Sequence, residues 1–178
     1  MFLFGTGVII VNTGDGKGKT TAAMGVAMRS LVHGYRVALV QFMKNPDEFD
    51  YAEKKLENFF SKLSVFTMGT GFTWNSADLS IDKAAAGLAW NHAKKLVLSN
   101  EYDLVILDEI LVAISCGLLE ESEVLDFLQS TIKLPDIILT GRGASTSVIA
   151  LADLVSEIKN IKHPFDTKGT LARKGIDW

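Results

Sequence analysis

The stretch Thr13-Gly14-Asp15-Gly16-Lys17-Gly18-Lys19-Thr20-Thr21 holds the residues of this chain best suited by type and spacing to chemistry. Its glycines let the backbone curl so that successive N–H groups point inward, a nest for an anion. The helix expected to start here presents unpaired amides and the positive end of its dipole to the same point. Gly18-Lys19-Thr20 is the Gly-Lys-Thr end of a phosphate-binding loop (P-loop). In such a loop Lys19 reaches the terminal phosphates of ATP and the Thr20 hydroxyl can ligate Mg²⁺. The general pattern has glycine where this chain has Thr13, and Lys17 adds a second cation inside the loop. A plain glycine-rich turn between strand and helix is the alternative; the strand before and the helix after favour the phosphate reading.

A second site of chemistry ends the apolar run Leu104-Val105-Ile106-Leu107, which is followed by Asp108-Glu109. An acidic residue at the end of a buried strand can bind Mg²⁺ directly or through water. In a hydrolysing ATPase, Asp108 would hold the metal and Glu109 would position water. In a transferase, one carboxylate would hold the metal without activating water. The pair could also simply cap the next helix. The third feature is Met68-Gly69-Thr70-Gly71-Phe72-Thr73-Trp74-Asn75. Its two aromatics either fold back on the core or form a platform for a large flat ligand.

These groups must be brought together by the elements that carry them. Short runs rich in Val, Ile and Leu predict strands at Gly7 to Asn12, Arg36 to Phe42, Leu63 to Met68, Leu104 to Asp108, Asp136 to Thr140 and Leu154 to Ile161. Most are apolar at successive positions, as strands covered on both faces are. Helices are expected at Thr20 to Val32, Asp50 to Ser61, Ser80 to Ser99, Glu121 to Thr131 and Ala144 to Asp153. In the third of these, Ile81, Leu88 and Leu96 fall at helical spacing. In the fourth, Val124, Leu125 and Leu128 do. Strands alternating with helices imply right-handed crossovers and an α/β fold with a mostly parallel sheet of about six strands. Loops at the carboxyl ends of such strands line the ligand crevice, where the phosphate loop, Asp108-Glu109 and the Phe72/Trp74 loop would meet. One domain over residues 1–178 is expected, with 162–178 as a closing flap or tail.

The chain has 178 residues, 48% hydrophobic and 22% charged, with a net charge of −3. That charge gives no general attraction to nucleic acid, so an anion site must be local. No apolar run is long enough to span a membrane, and the first residues do not form a signal peptide. The single cysteine, Cys116, excludes an internal disulfide framework. These features lead us to expect a cytoplasmic protein without membrane or nucleic-acid partners. Arg142, just after the fifth strand, could contact phosphate or pair with a surface carboxylate. His33 is expected at a helix end, and His92 mid-helix in a structural or surface role.

Beyond these motifs, the sequence resembles the ATP:cob(I)alamin (corrinoid) adenosyltransferases of the type that carries a P-loop. The matching residues are Ile9 to Gly25 with the loop, Val40-Gln41-Phe42, Gly71-Phe72-Thr73-Trp74, Leu107-Asp108-Glu109 and Leu139-Thr140-Gly141-Arg142. Leu151-Ala152-Asp153-Leu154-Val155-Ser156-Glu157, Lys162-His163-Pro164-Phe165-Asp166 and Lys174-Gly175-Ile176-Asp177 continue the match. Residues Phe49 to Lys62 depart from it. Members usually carry a further N-terminal segment that helps cover a partner subunit's site, whereas this chain begins almost at its first strand.

The resemblance implies a P-loop NTPase (RecA-like) fold and a single reaction. Cobalt(I) of a reduced corrinoid, of the cob(I)yrinic acid a,c-diamide type among others, attacks the 5′ carbon of ATP and triphosphate leaves. The loop then holds a leaving group, with Lys17, Lys19, the amides from Thr13 to Thr21 and Mg²⁺ stabilising its charge, and the nucleotide lies reversed relative to P-loop hydrolases. By resemblance, Thr20 and Glu109 match the Mg²⁺ ligands. Gly71, Phe72, Thr73 and Trp74 match the corrinoid loop, whose aromatics displace the lower ligand of cobalt. A homodimer and a reduced flavin or flavoprotein electron donor are also implied. Two other functions compete: an ordinary P-loop ATPase or kinase, which has no need of Phe72 and Trp74, and a non-enzymatic corrinoid or nucleotide sensor, which would release no product.

Overall fold

Six short segments of aliphatic residues pair side by side, all parallel, in the order β3-β2-β4-β5-β1-β6. The computed structural model describes residues 7–47, 50–71, 79–164, 167 and 169–176. In chain order the elements are β1 (Ile9–Thr13), α1 (Lys19–Val32), β2 (Val37–Gln41), α2 (Ala52–Lys55, continued by a 3-10 turn Leu56–Asn58) and β3 (Leu63–Thr67). After these come α3 (Ser80–Leu98), β4 (Leu104–Asp108), α4 (Ile110–Ser115), α5 (Glu121–Ser130), β5 (Asp136–Thr140), α6 (Thr146–Leu151) and β6 (Leu154–Glu157).

The successive apolar positions of the strands serve two cores. In β4, Val105 and Leu107 point into one apolar cluster while Leu104 and Ile106 point into the other. The larger cluster adds residues from α3, α4 and α5; the smaller adds Ala23, Ala27 and Leu31 of α1. Those three lie four residues apart on one helix face, and the two alanines let α1 sit close to the sheet. The parallel α/β expectation therefore holds, with both faces of the central strands covered.

Three local expectations are corrected, and one unassigned helix is added. The face that α3 turns to the core is Ala86, Ala89, Trp90, Ala93 and Val97, whereas Ile81 and Leu88 are exposed. Leu96 is buried as expected. The largest apolar side chains did not mark the stripe because Trp90 and a row of alanines fill the space against β2 and β4. The segment after Asp108 forms a buried helix, α4, that its β-like sequence Ile-Leu-Val-Ala-Ile concealed. The helix expected over Asp50 to Ser61 is limited to one turn plus a 3-10 turn, leaving Phe59 exposed. The last strand stops at Glu157 and all four of its residues are exposed, because it stands at the sheet edge with β1 as its single neighbour among the described residues.

Trp90 packs edge-on against Phe127, with ring centroids 5.3 Å apart, and its Nε1 donates to Glu123 Oε1 at 2.9 Å. Replacing Trp90 by Ala should lower unfolding stability by about 3–5 kcal/mol. The loss would appear as a lower urea midpoint with an unchanged slope.

Candidate nucleotide and metal site

The carboxyl ends of β1, β4 and β5 converge, and the polar residues there bond across elements. Asp108 is fully buried at the end of β4. Its Oδ1 accepts from Thr20 Oγ1 at the start of α1 and from Thr140 Oγ1 at the end of β5, both at 2.8 Å. The same Thr140 oxygen accepts the Glu109 N–H at 2.8 Å. Asp108 Oδ2 is buried with no hydrogen-bond partner among the described residues. Buried polar atoms are rarely left unpaired, so an orphaned carboxylate oxygen beside a threonine hydroxyl fits a hard cation such as Mg²⁺.

Glu109 has a left-handed backbone, with φ 63°, and opens α4. A non-glycine residue held there costs roughly 1–3 kcal/mol. The twist turns the chain sharply from strand to helix at the sheet edge. Burial pushes the Glu109 carboxyl up to about 7, and the neighbouring Asp108 adds to the shift. Lys44, Lys19 and Arg142 oppose it, so these charges lie within reach of one another. Asp108 is also raised, chiefly by burial, against the pull of Lys44 and of the two threonine hydroxyls.

The phosphate loop joins β1 to α1. Gly14 and Gly18 have φ of 95° and 123°, values that favour glycine. A side chain at Gly16 would meet the Lys159 backbone carbonyl carbon at 2.7 Å. The Gly16 N–H donates to the Ile158 carbonyl at 2.7 Å, tying the loop to the chain leaving β6. Lys19 Nζ donates to the Gly14 and Gly16 carbonyls at 2.6 and 2.7 Å, so the loop wraps its own lysine. Burial lowers the Lys19 pKa, and Arg142 lowers it further; Asp15 and Glu109 oppose them. Thr13 is buried, and its Oγ1 accepts the Ala144 N–H at 3.3 Å. Asp15, Lys17 and Thr21 lie exposed around the loop mouth.

Thus Thr13 to Thr21, Asp108, Glu109 and Arg142 are brought to one edge. Phe72, Thr73 and Trp74 lie outside the described residues, but the base of their loop is fixed beside β2. Gly71 N–H donates to the Met43 carbonyl at 3.2 Å, and Thr70 Oγ1 donates to Asp82 Oδ1 in the first turn of α3. Sequence reasoning missed Lys44, which pairs with Glu53 at 2.8 Å, both largely buried. Its place just beyond β2, on the ligand edge, was the available signal. His33 caps the end of α1 as expected, and His92 is half-buried against Phe66.

The fold and this edge define a nucleotide-binding α/β protein of the P-loop class, with one strand between the loop strand and the acidic strand. The same fold occurs in the flagellar accessory protein FlaH of Methanocaldococcus jannaschii, with a TM-score of 0.55 and 15% identity, covering 85% of this chain and 70% of that one. A KaiC-like protein of Pyrococcus horikoshii shares it too, at TM-score 0.51 and 17% identity over 86% of this chain and 73% of that one. The chain belongs to the ATP:corrinoid adenosyltransferase BtuR/CobO/CobP family, whose profile matches residues 5–178. It is 40% identical over 173 residues to the corrinoid adenosyltransferase of Escherichia coli K12, covering 97% of this chain and 86% of that protein. It is 39% identical to that of a Sinorhizobium species, covering 97% of this chain and 80% of the relative. No helix among the described residues is long and apolar enough to cross a membrane.

A carboxyl whose folded-state pKa lies near 7 instead of 4.5 favours folding when protonated. That contribution is complete below the unfolded value and is lost as pH rises through the folded one. In protein free of nucleotide and metal, Glu109→Gln should therefore exceed wild type in stability near pH 8, on the order of 1–3 kcal/mol. The difference should close as pH falls from about 7 to about 4.5. Urea titrations across that range check it; a difference independent of pH would remove the burial account.

Proposed function

We propose that this chain transfers the 5′-deoxyadenosyl group of ATP to the cobalt(I) of a reduced corrinoid and releases triphosphate. The observation that carries the proposal is a family match spanning the chain, combined with an intact loop–Thr20–Asp108–Glu109 edge. In this reaction a cobalt electron pair forms the cobalt–carbon bond. The C5′–oxygen bond breaks, and its electrons leave on the triphosphate.

The loop amides, Lys17, Lys19 and Arg142 bind the triphosphate and stabilise its growing charge. To do so, Lys19 exchanges its loop carbonyls for phosphate oxygens. Thr20, Glu109 and Asp108 would hold Mg²⁺, and Asp108 Oδ1 also orients the Thr20 hydroxyl. When bound, the ion supplies further neutralisation of the leaving group. Phe72 and Trp74, with Gly71 and Thr73 shaping their loop, would face the lower side of the corrinoid. Apolar rings in place of a lower ligand destabilise the more highly charged cobalt(II) relative to cobalt(I). A homodimer, a reduced flavin or flavoprotein as electron donor and a cytoplasmic setting complete the proposal.

Purified protein with Mg-ATP and chemically reduced cobalamin should form a light-sensitive cobalt–carbon product, with one triphosphate for each turnover. Lys19→Ala should lower kcat about 10²–10³-fold. Phe72→Ala and Trp74→Ala should slow turnover from cobalt(II) with reduced flavin far more than turnover from pre-reduced cobalt(I). Phosphate release with an unchanged corrinoid spectrum would transfer the assignment to an ordinary P-loop ATPase or kinase.

A further inference from the structure

A polar row crosses the carboxyl edge of the sheet. Thr67 of β3 is in register with Gln41 of β2, and Gln41 is in register with Asp108 of β4. Asp108 bonds to Thr140 of β5, which is in register with Asn12 of β1. Side chains alternate between the two faces of a strand. Gln41 therefore follows Leu39, and Asp108 follows Ile106, on the face that packs against α1. The row closes that core where the phosphate loop and the acidic pair meet.

On either side of one gap the row is bonded. Thr67 Oγ1 donates to Gln41 Oε1 at 2.8 Å, and Thr140 Oγ1 donates to Asp108 Oδ1 at the same distance. Between these pairs stand Gln41 Nε2 and Asp108 Oδ2, both buried and both without a hydrogen-bond partner among the described residues. One is a donor and the other an acceptor. Gln41 and Asp108 are fully buried, so bulk water does not satisfy either atom. Their strands are neighbours, about 4.8 Å apart. The backbones are tied there as well, since the Phe42 N–H donates to the Asp108 carbonyl at 3.0 Å. Glu53 Oε2 is also buried and unpartnered, but it lies on α2 and its companion oxygen is held by Lys44.

We infer that Gln41 is a positioning residue of the metal site: its amide N–H turns to Asp108 Oδ2 and holds that oxygen toward the cation. The inference rests on the metal-holding part of the proposed function and needs neither the corrinoid nor its loop. A carboxylate oxygen has two lone pairs, one for the N–H and one for the ion. Carboxylates that ligate a metal are themselves hydrogen-bonded, which fixes their orientation. Thr20 and Thr140 orient Oδ1, and Gln41 does the same for Oδ2. Thr67 completes the device, because its hydroxyl keeps the amide oxygen on the β3 side and leaves the nitrogen for β4.

The test measures ATP binding by calorimetry, with Mn²⁺ and again in chelator, without corrinoid or turnover. Wild type should bind Mn-ATP more tightly than metal-free ATP. Gln41→Met keeps the volume and removes the donor. It should cut that gain about tenfold, while affinity for metal-free ATP, set by the loop amides and lysines, stays within about twofold. A crystal structure of wild type with Mg-ATP should place Gln41 Nε2 within about 3.2 Å of Asp108 Oδ2. This second measurement decides the question even where Gln41→Met does not fold. A gain retained by the variant to within about twofold, an equal loss of metal-free binding, or separated atoms in the complex overturns the role of Gln41 alone. A wild type that gains nothing from Mn²⁺ overturns the metal site itself.

Discussion

The carboxylate of Asp108 is buried at the end of β4, and one of its oxygens takes hydroxyl hydrogens from two other elements. Through Thr20 it sets where α1 begins; through Thr140 it is joined to β5 and to the Glu109 N–H. A buried ionisable group persists only when it is bonded, and removal of one partner costs more than the net worth of the bond. The network therefore locks the start of the loop helix to the acidic strand. The position of the phosphate loop, the left-handed turn at Glu109 and the entry into α4 all follow from that lock.

Two adjacent carboxyl groups in a buried edge oppose each other's ionisation. Lys19, Arg142 and Lys44 offset part of that opposition. Lys44 is itself held by Glu53, so the acidic edge connects electrostatically to the short helix that covers β3. Charge here is arranged locally, in a chain with a net charge of only −3. A site with raised carboxyl pKa values and a free carboxylate oxygen gains more from an added cation than an exposed pair would.

The loop is also bound from the other side. Gly14 and Gly16 lie so close to Ile158 and Lys159 that a side chain at either would strike backbone. The Gly16 N–H is held by the Ile158 carbonyl, so the segment leaving β6 and the phosphate loop share a hydrogen bond. Any rearrangement of the loop around a triphosphate is felt by the chain that leads into residues 162–176.

The sequence by itself determined the parts of this protein whose information is local. Gly18-Lys19-Thr20 after an apolar run, Asp108-Glu109 after another, and the strands apolar at successive positions, β6 apart, were legible because backbone freedom, helix dipole and strand burial are written in neighbouring residues. Tertiary structure decided what depends on residues far apart in the chain. It chose Trp90 and the alanines of α3 over Ile81 and Leu88, since only the sheet surface determines which face of a helix is covered. It made Ile110–Ser115 a helix because the turn at Glu109, supported by Thr140 from another strand, redirects an apolar run that reads as β. It set Lys44 beside the acidic pair and His92 against Phe66 of β3. Neither meeting has a signature in the sequence, because both depend on how helices lie across a parallel sheet.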